Sequence, residues 1–170
     1  MTVPVIQTRR LTLRPIVMDD AEAITRALSH WDVVQWLSAV PFPYSRDDAT
    51  YFITEIAPMD LSWAIDAGDG LVGVIGVKPD FGYWLDAAYH GQKIMSEAAR
   101  AVADWYFARS DEPLVSGHFL GNAASRKVLK NIGFVDTHID DQLQVSTQDM
   151  VKIQRMALTK TDWMKRNGVA

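Results

Sequence analysis

The sequence predicts a mixed α/β domain: a mostly antiparallel sheet of about six or seven strands, flanked by about four helices, with one parallel pair. Three observations carry this. Short apolar or alternating runs recur between turn residues. Helical apolar stripes interrupt them. A strand–helix–strand unit from Phe81 to Phe119 requires a crossover, and a crossover brings its two strands side by side and parallel.

Taken in order, Thr8 to Arg14 alternates Leu11 and Leu13 with Arg10, Thr12 and Arg14, a half-buried strand that Pro15 stops. Asp19 with Glu22 resembles a capping box, and Ile24 and Leu28 follow at helical spacing. Ser45 is a second N-cap. Behind it Ala49, Phe52, Ile53 and Ile56 form a stripe that Pro58 ends. Ser62 to Asp66 reads as a strand. Gly68-Asp69-Gly70-Leu71-Val72-Gly73 spells GxGxxG, but it leads into the apolar run Leu71 to Val77 rather than into a helix. It is therefore a hairpin turn and not a dinucleotide fingerprint, and the run after it is a central strand buried on both faces. Phe81 to Leu85 is an aromatic strand. Ile94, Ala98, Val102 and Trp105 mark a long helix within Gln92 to Arg109. Leu114 to Phe119 is a strand, Asn122 to Ile132 a helix, and Gly133 stands at a left-handed C-terminal cap. Phe134 to Ile139 and Val151 to Leu158 are the last strands, joined by a polar loop from Asp140 to Asp149.

Composition narrows the function classes. The 170 residues are 48% hydrophobic and 22% charged, the profile of one globular domain spanning 1–170, with no linker or repeat dividing it. There are no cysteines, which excludes a disulfide framework, a thiolate nucleophile and Cys-ligated zinc. The net charge of −4 argues against a nucleic-acid partner. No apolar run suggests a membrane span, and the amino terminus lacks the apolar stretch of a signal peptide, so a cytoplasmic location is expected. His30, His90, His118 and His138 show no metal-ligand spacing, and no metal is expected.

Two stretches carry chemistry. Phe81 to Arg100 joins an aromatic strand to a long helix by a short loop containing Gly91, and a helix N-terminus offers free N–H groups to an anion such as a diphosphate. An ordinary strand-to-helix turn explains the same residues. Ser116 to Phe134 places Asn122 and Ser125 on one face of a helical first turn, where Asn122 also fits a plain N-cap.

Together these stretches resemble the GNAT acetyltransferases of the RimJ/RimL-like branch over nearly the whole chain. Arg9-Arg10-Leu11-Thr12-Leu13-Arg14-Pro15 is similar to the family's T-x-R-L-x-L-R opening. Gly82-Tyr83-Trp84-Leu85 is similar to its G-Y-W-L, and Ser96-Glu97-Ala98 to its T-E-A. Asn122-Ala123-Ala124-Ser125, Val128-Leu129 and Gly133-Phe134 are similar to N-x-A-S, V-L and L-G-F. The resemblance implies acetyl-CoA as donor and an amine as acceptor, a protein N-terminus or a small molecule, in a monomer or homodimer. It implies that the strands Phe81–Leu85 and Leu114–Phe119 splay to admit the pantetheine arm. Backbone groups of Tyr83, Trp84 and Leu85 would hold that arm, one N–H polarising the thioester carbonyl. The pyrophosphate would lie on the segment His90, Gly91, Gln92, Lys93, Ile94, Met95 and Ser96. Asn122 would touch the arm, and Ser125 would donate to the leaving sulfur.

The chain departs from the family at Lys93 and Met95, where a Gly and a small residue are usual, and at His90, where Gln or Arg is usual. Lys93 either obstructs the phosphate or adds a charge to it. Leu129 stands where many members have a general-acid Tyr. Candidates for the general base are Asp86, His118 and Glu55. Acceptor choice is assigned to His30–Ser45 and Asp140–Asp149, with Trp36 read as core packing. The competing readings are a non-catalytic acyl-CoA-binding protein and an interaction module on the same fold.

Overall fold

The computed structural model describes residues 3–168. Strands β1 (Ile6–Gln7), β2 (Thr12–Pro15), β3 (Ser62–Asp66), β4 (Leu71–Gly76) and β5 (Gly82–Leu85) form one antiparallel sheet in that order. A second, three-stranded antiparallel sheet has the order β6 (Leu114–Phe119), β8 (Asp149–Leu158), β7 (Val135–Gln144). The first sheet is covered on both faces. Ala64, Leu71 and Val74 pack with Ile24 and Leu28 of α1 (Ala21–Leu28), Val33 and Val34 of α2 (Trp31–Val34) and Ala49 of α3 (Arg46–Tyr51). Trp63, Ile65, Val72 and Ile75 face α5 (Ile94–Phe107), α6 (Ala123–Ile132) and α7 (Lys160–Asn167). All six residues of β4 are buried, as its unbroken apolar run requires.

The expected splay of the parallel pair is present, and it divides the eight strands between the two sheets. The crossover helix α5 delivers β6 beside β5, but the two form no ladder. Only the Phe81 N–H reaches across to the Val115 carbonyl, at 2.7 Å, and the Ser116 hydroxyl to the Phe81 carbonyl, at 2.6 Å. Beyond that junction the strand edges separate.

Other expectations change with identifiable causes. The Thr8–Arg14 strand is broken. Thr8 N–H donates to the Leu11 carbonyl at 2.9 Å and the Leu11 N–H returns to the Thr8 hydroxyl at 3.0 Å, a side-chain-locked turn that hides inside an alternating pattern. Pro15 lies within β2, paired with Trp63. Pro58 does not end the second helix. Phe52–Ile56 winds as a π turn and Ala57–Asp60 (α4) continues, until Leu61 turns left-handed at φ 49°. Lacking an N–H, Pro58 cannot close a regular helical bond, and the wider turn accommodates its ring. The polar Asp140–Asp149 loop is largely strand, because β7 is exposed on both faces and shows no apolar alternation; Asp141–Lys152 at 2.9 Å ties it to β8. The helix α7 buries only Trp163, too little to leave a stripe, although Thr159 and Asp162 cap it.

The predicted GxGxxG turn is as expected: Asp66 accepts the N–H groups of Gly68 and Gly70. Beside it, Arg14 ties β2 to the start of α1. Its guanidinium reaches both oxygens of buried Asp20 at 2.9 Å, and Asp66 at 3.1 Å, while Asp20 also accepts the Val17 N–H. Asp20, rather than Asp19, therefore anchors this helix.

Removing the anion would leave Arg14 half-buried and underpaired, so Asp20→Ala should cost about 3 kcal/mol in urea unfolding. Burial pushes Asp66 up, but the Gly68 N–H, Arg14 and the Gly70 N–H outweigh it and hold the carboxyl below its usual range. The unfolded chain then binds that proton more tightly than the folded one. The stabilisation is full above the unfolded pKa and drains away as pH falls through the lower, folded value. The Tm should fall as pH drops below about 4, and Asp66→Asn should flatten that fall.

Candidate active site

The gap between β5 and β6 is the centre of a cavity of about 1330 Å³. Antiparallel pairing alternates which residues turn their backbone toward the neighbour. Asp86 N–H donates to the Val72 carbonyl at 2.8 Å, so Asp86 and, two residues back, Trp84 turn inward to β4. Tyr83 and Leu85 therefore turn their N–H and C=O outward, in register with Phe81, which bonds to β6. Among the described residues the Tyr83 N–H and C=O and the Leu85 N–H have no partner. The Leu85 carbonyl accepts from His90 Nε2 at 2.9 Å. On the opposite wall the same parity turns Val115, Gly117 and Phe119 toward the gap, since the Val115 carbonyl accepts from Phe81. Gly117 is required by its packing on β8, where a Cβ would lie 2.7 Å from the Ile153 methyl. Of the three backbone positions expected to hold an extended ligand, Tyr83 and Leu85 are free to do so, and Trp84 is spent on the sheet.

At one end of the cavity the chain turns into α5. No acceptor among the described residues takes the backbone N–H groups of Gly91, Gln92, Lys93, Ile94, Met95 or Ser96, which leaves six amides open at this helix start, the kind of place that suits an anion. Gly91 and Lys93 both have positive φ, 76° and 60°. Lys93 thus occupies the left-handed conformation that a glycine adopts without strain, and its side chain lines the cavity. Met95 is 6% exposed and packs in the core beside Ile94, and it also lines the cavity. Gln92 stands outside the cavity lining. The cationic side chains of Lys93, Arg100 and Lys127 share this lining.

At the start of α6 the Asn122 side-chain oxygen accepts the Ser125 N–H at 3.2 Å, the plain N-cap role, which leaves its amide donor free. Ser125 Oγ lies 3.0 Å from the Tyr83 hydroxyl. Burial pushes the Tyr83 phenol up, only partly offset by the Ser125 contact, so it stays a neutral phenol across the physiological range. The sequence placed Tyr83 here for its backbone alone; that its side chain orients Ser125 depends on a contact across 42 residues.

His118 is 6% exposed and lines the cavity. Its Nδ1 lies 3.0 Å from the Phe119 carbonyl, which can only accept, so Nδ1 is the donor in this contact. Nε2 is buried with no hydrogen-bond partner. The other base candidates are elsewhere. Asp86 accepts the Ala88 N–H as the cap of a short 3-10 turn, and Glu55 is exposed on the π turn; neither lines the cavity.

The opposite end is formed by the two segments assigned to acceptor choice, and they meet. Val145 N–H donates to the Ser38 carbonyl at 2.8 Å, and buried Gln144 donates to the Gln35 carbonyl at 3.0 Å. Asp32, Trp36 and Leu37 line the cavity here, so Trp36 is a wall residue rather than core. Asp80 also lines it, paired with Arg155 at 2.9 Å. Among the described residues no helix is long and apolar enough to cross a membrane, and no group of three or more His, Cys, Asp or Glu side chains is placed to hold a metal.

This constellation belongs to a recognisable family. Residues 10–135 match the Acetyltransferase (GNAT) domain, and the chain is a member of the GNAT acetyltransferases. No curated protein sequence matches it. Its fold is that of RimL, the ribosomal L7/L12 alpha-N-protein acetyltransferase in complex with coenzyme A, with a TM-score of 0.80 at 20% identity, covering 92% of this chain and 98% of that one. The ribosomal-protein-S5-alanine acetyltransferase from Vibrio fischeri gives 0.75 at 16% identity, covering 94% and 98%. The microcin C7 self-immunity acetyltransferase MccE, in complex with acetyl-CoA and AMP, gives 0.75 at 15%, covering 89% and 93%.

A left-handed Lys93 carries backbone strain that glycine lacks. Lys93→Gly should raise the unfolding free energy by about 0.5–1 kcal/mol in chemical denaturation. No gain would mean that the left-handed turn carries no strain.

Proposed function

We propose that this protein transfers the acetyl group of acetyl-CoA to a primary amine, a protein N-terminus or a small amine, by direct attack in a ternary complex. One observation carries the reading: a strand edge with unpaired Tyr83 and Leu85 backbone groups leads into six unpaired amides at the start of α5. An extended amide-bearing arm ending in a diphosphate complements both. In this reading the Tyr83 and Leu85 edge holds the pantetheine, Gly91 to Ser96 take the pyrophosphate with Lys93 beside it, and the Asn122 amide reaches the arm. Acetyl-CoA supplies the activated thioester.

The chain's own groups divide the remaining work. A free N–H of the β5 edge donates to the carbonyl where negative charge develops. His118 Nε2, buried with no hydrogen-bond partner, accepts the proton that an ammonium group must lose. Ser125 donates toward the leaving sulfur, with Tyr83 fixing the direction of its hydroxyl. Neither hydroxyl is the net proton source: a phenol raised above its usual value and an aliphatic alcohol are both weaker acids than a thiol, so the departing thiolate is held by the Ser125 hydrogen bond and takes its proton from water. The rest of the rate comes from positioning.

The acceptor end supports a cationic amine. Asp32 lines the cavity beside Trp36 and Leu37 and has no cationic partner among the described residues. The structural neighbours named for ribosomal proteins L7/L12 and S5 support a protein N-terminus as acceptor.

Saturating acetyl-CoA should raise the Tm, since a ligand at a hundred times its Kd stabilises by about 2.7 kcal/mol. Free thiol should appear only when an amine from a panel of N-terminal peptides and small amines is added. Stabilisation with no thiol release across the panel would leave a binding protein in place of an enzyme.

His118→Ala should lower kcat about 100-fold with little change in the KM for acetyl-CoA. Tyr83→Phe should lower kcat about tenfold with little change in the KM for acetyl-CoA. An unchanged kcat in the first variant would pass the proton to water. Asn122→Asp keeps the cap but not the amide donor, so weakened CoA binding at unchanged Tm would assign that donor to the arm.

A further inference from the structure

The amino-terminal turn is joined to the open amides at the start of α5 by a cluster that the acetyl-transfer chemistry does not use. Glu97 lies in the first turns of α5, where a carboxylate opposes any anion bound to the helix start. Both of its oxygens are taken. Oε1 accepts the Thr8 hydroxyl at 2.6 Å and the Arg10 N–H at 2.9 Å; Oε2 accepts Arg10 Nε at 2.7 Å. Burial pushes Glu97 up, but these Thr8 and Arg10 bonds prevail and hold it below its usual range. Arg10 then has a donor to spare, and its Nη1 reaches the Gln92 carbonyl at 2.9 Å.

That last bond acts on the open amides. The Gln92–Lys93 peptide is planar and trans, so its C=O and N–H point in opposite directions. Arg10, which lines the rim of the cavity together with Thr8 and Glu97, holds the Gln92 carbonyl toward the amino-terminal turn. The Lys93 N–H of the same peptide plane therefore points away from the Arg10 guanidinium. Lys93 also sits in a left-handed conformation that a residue with a Cβ rarely adopts, and such a conformation persists only where neighbouring bonds over-determine it.

We propose that Arg10, locked by Glu97 and Thr8, is a positioning residue that presets the pyrophosphate loop, so that affinity for the diphosphate of the donor depends on the amino-terminal turn. The proposal rests on the donor site described under Proposed function. It assigns Arg10 no contact with the ligand. The arginine neutralises Glu97 and fixes one peptide plane, and both effects act on the diphosphate without touching the pantetheine slot.

Binding to CoA, to ADP as a diphosphate probe and to pantetheine separates these roles, read by calorimetry and ligand-observed NMR. Arg10→Ala should raise the Kd for CoA and for ADP about tenfold, while the Kd for pantetheine stays within about twofold of wild type. Thr8→Val, a smaller change that leaves the guanidinium in place, should show the same pattern at about threefold and keeps the test open if Arg10→Ala does not fold. Equal losses for all three ligands would make the cluster a plain structural brace and overturn the proposal. Unchanged CoA and ADP affinity would overturn it too. Wild-type protein that binds pantetheine but not ADP would remove the phosphate cradle itself, a failure of the donor-site reading that the variants' data would not mimic.

Discussion

Everything at this site depends on a ladder that does not form. A strand edge normally satisfies its N–H and C=O groups against a neighbour, and leaving them bare and sheltered from water costs stability. Here β5 and β6 meet at the Phe81–Val115 bond and then diverge, while each is fully paired on its other side, to β4 and to β8. The unpaired groups of Tyr83 and Leu85 are thus neither loose nor spent. They are rigid, regularly spaced and open, which is what an extended amide-bearing ligand needs in order to bind as a substitute strand.

The second constraint is electrostatic. A chain of net charge −4 is an unpromising host for a polyanion. The solution is local. Six backbone amides are open at one helix start, the nearby carboxylate of Glu97 is consumed by Arg10 and Thr8, and Lys93, Arg100 and Lys127 line the cavity. Lys93 shows how two demands meet at one residue. The backbone there wants a glycine, the ligand end wants a positive charge, and the chain keeps the charge at the cost of the strain.

Much of this was legible in the residues. The aromatic strand, the loop to α5, the Asn122–Ser125 turn and the Gly133 cap, at φ 114°, all rest on local patterns, and local patterns survive folding. Other features were not legible in the residues themselves. The splay between Phe81–Leu85 and Leu114–Phe119 came only from the family resemblance, since both read as strands whether or not they pair. The turn at Thr8–Leu11 is disguised by residues that also alternate, and so the reach of Arg10 to Gln92, 82 positions away, was hidden with it. The roles of His118 and Tyr83 depend on which atoms find partners. An orphaned Nε2 or a phenol on a serine hydroxyl is a fact of packing that spacing does not carry. The polar strand β7 and the one-tryptophan helix α7 escaped for a simpler reason: neither buries enough apolar surface to show a period.

Amide hydrogen exchange at β5 addresses the open edge most directly. Without ligand, the Tyr83 and Leu85 amides should exchange far faster than that of Trp84, which is bonded within the sheet, and CoA should slow Tyr83 and Leu85 to the rate of their neighbour. If Tyr83 and Leu85 are already as protected as Trp84 in the free protein, or stay fast when CoA is bound, the strand edge is not the place where the donor is held.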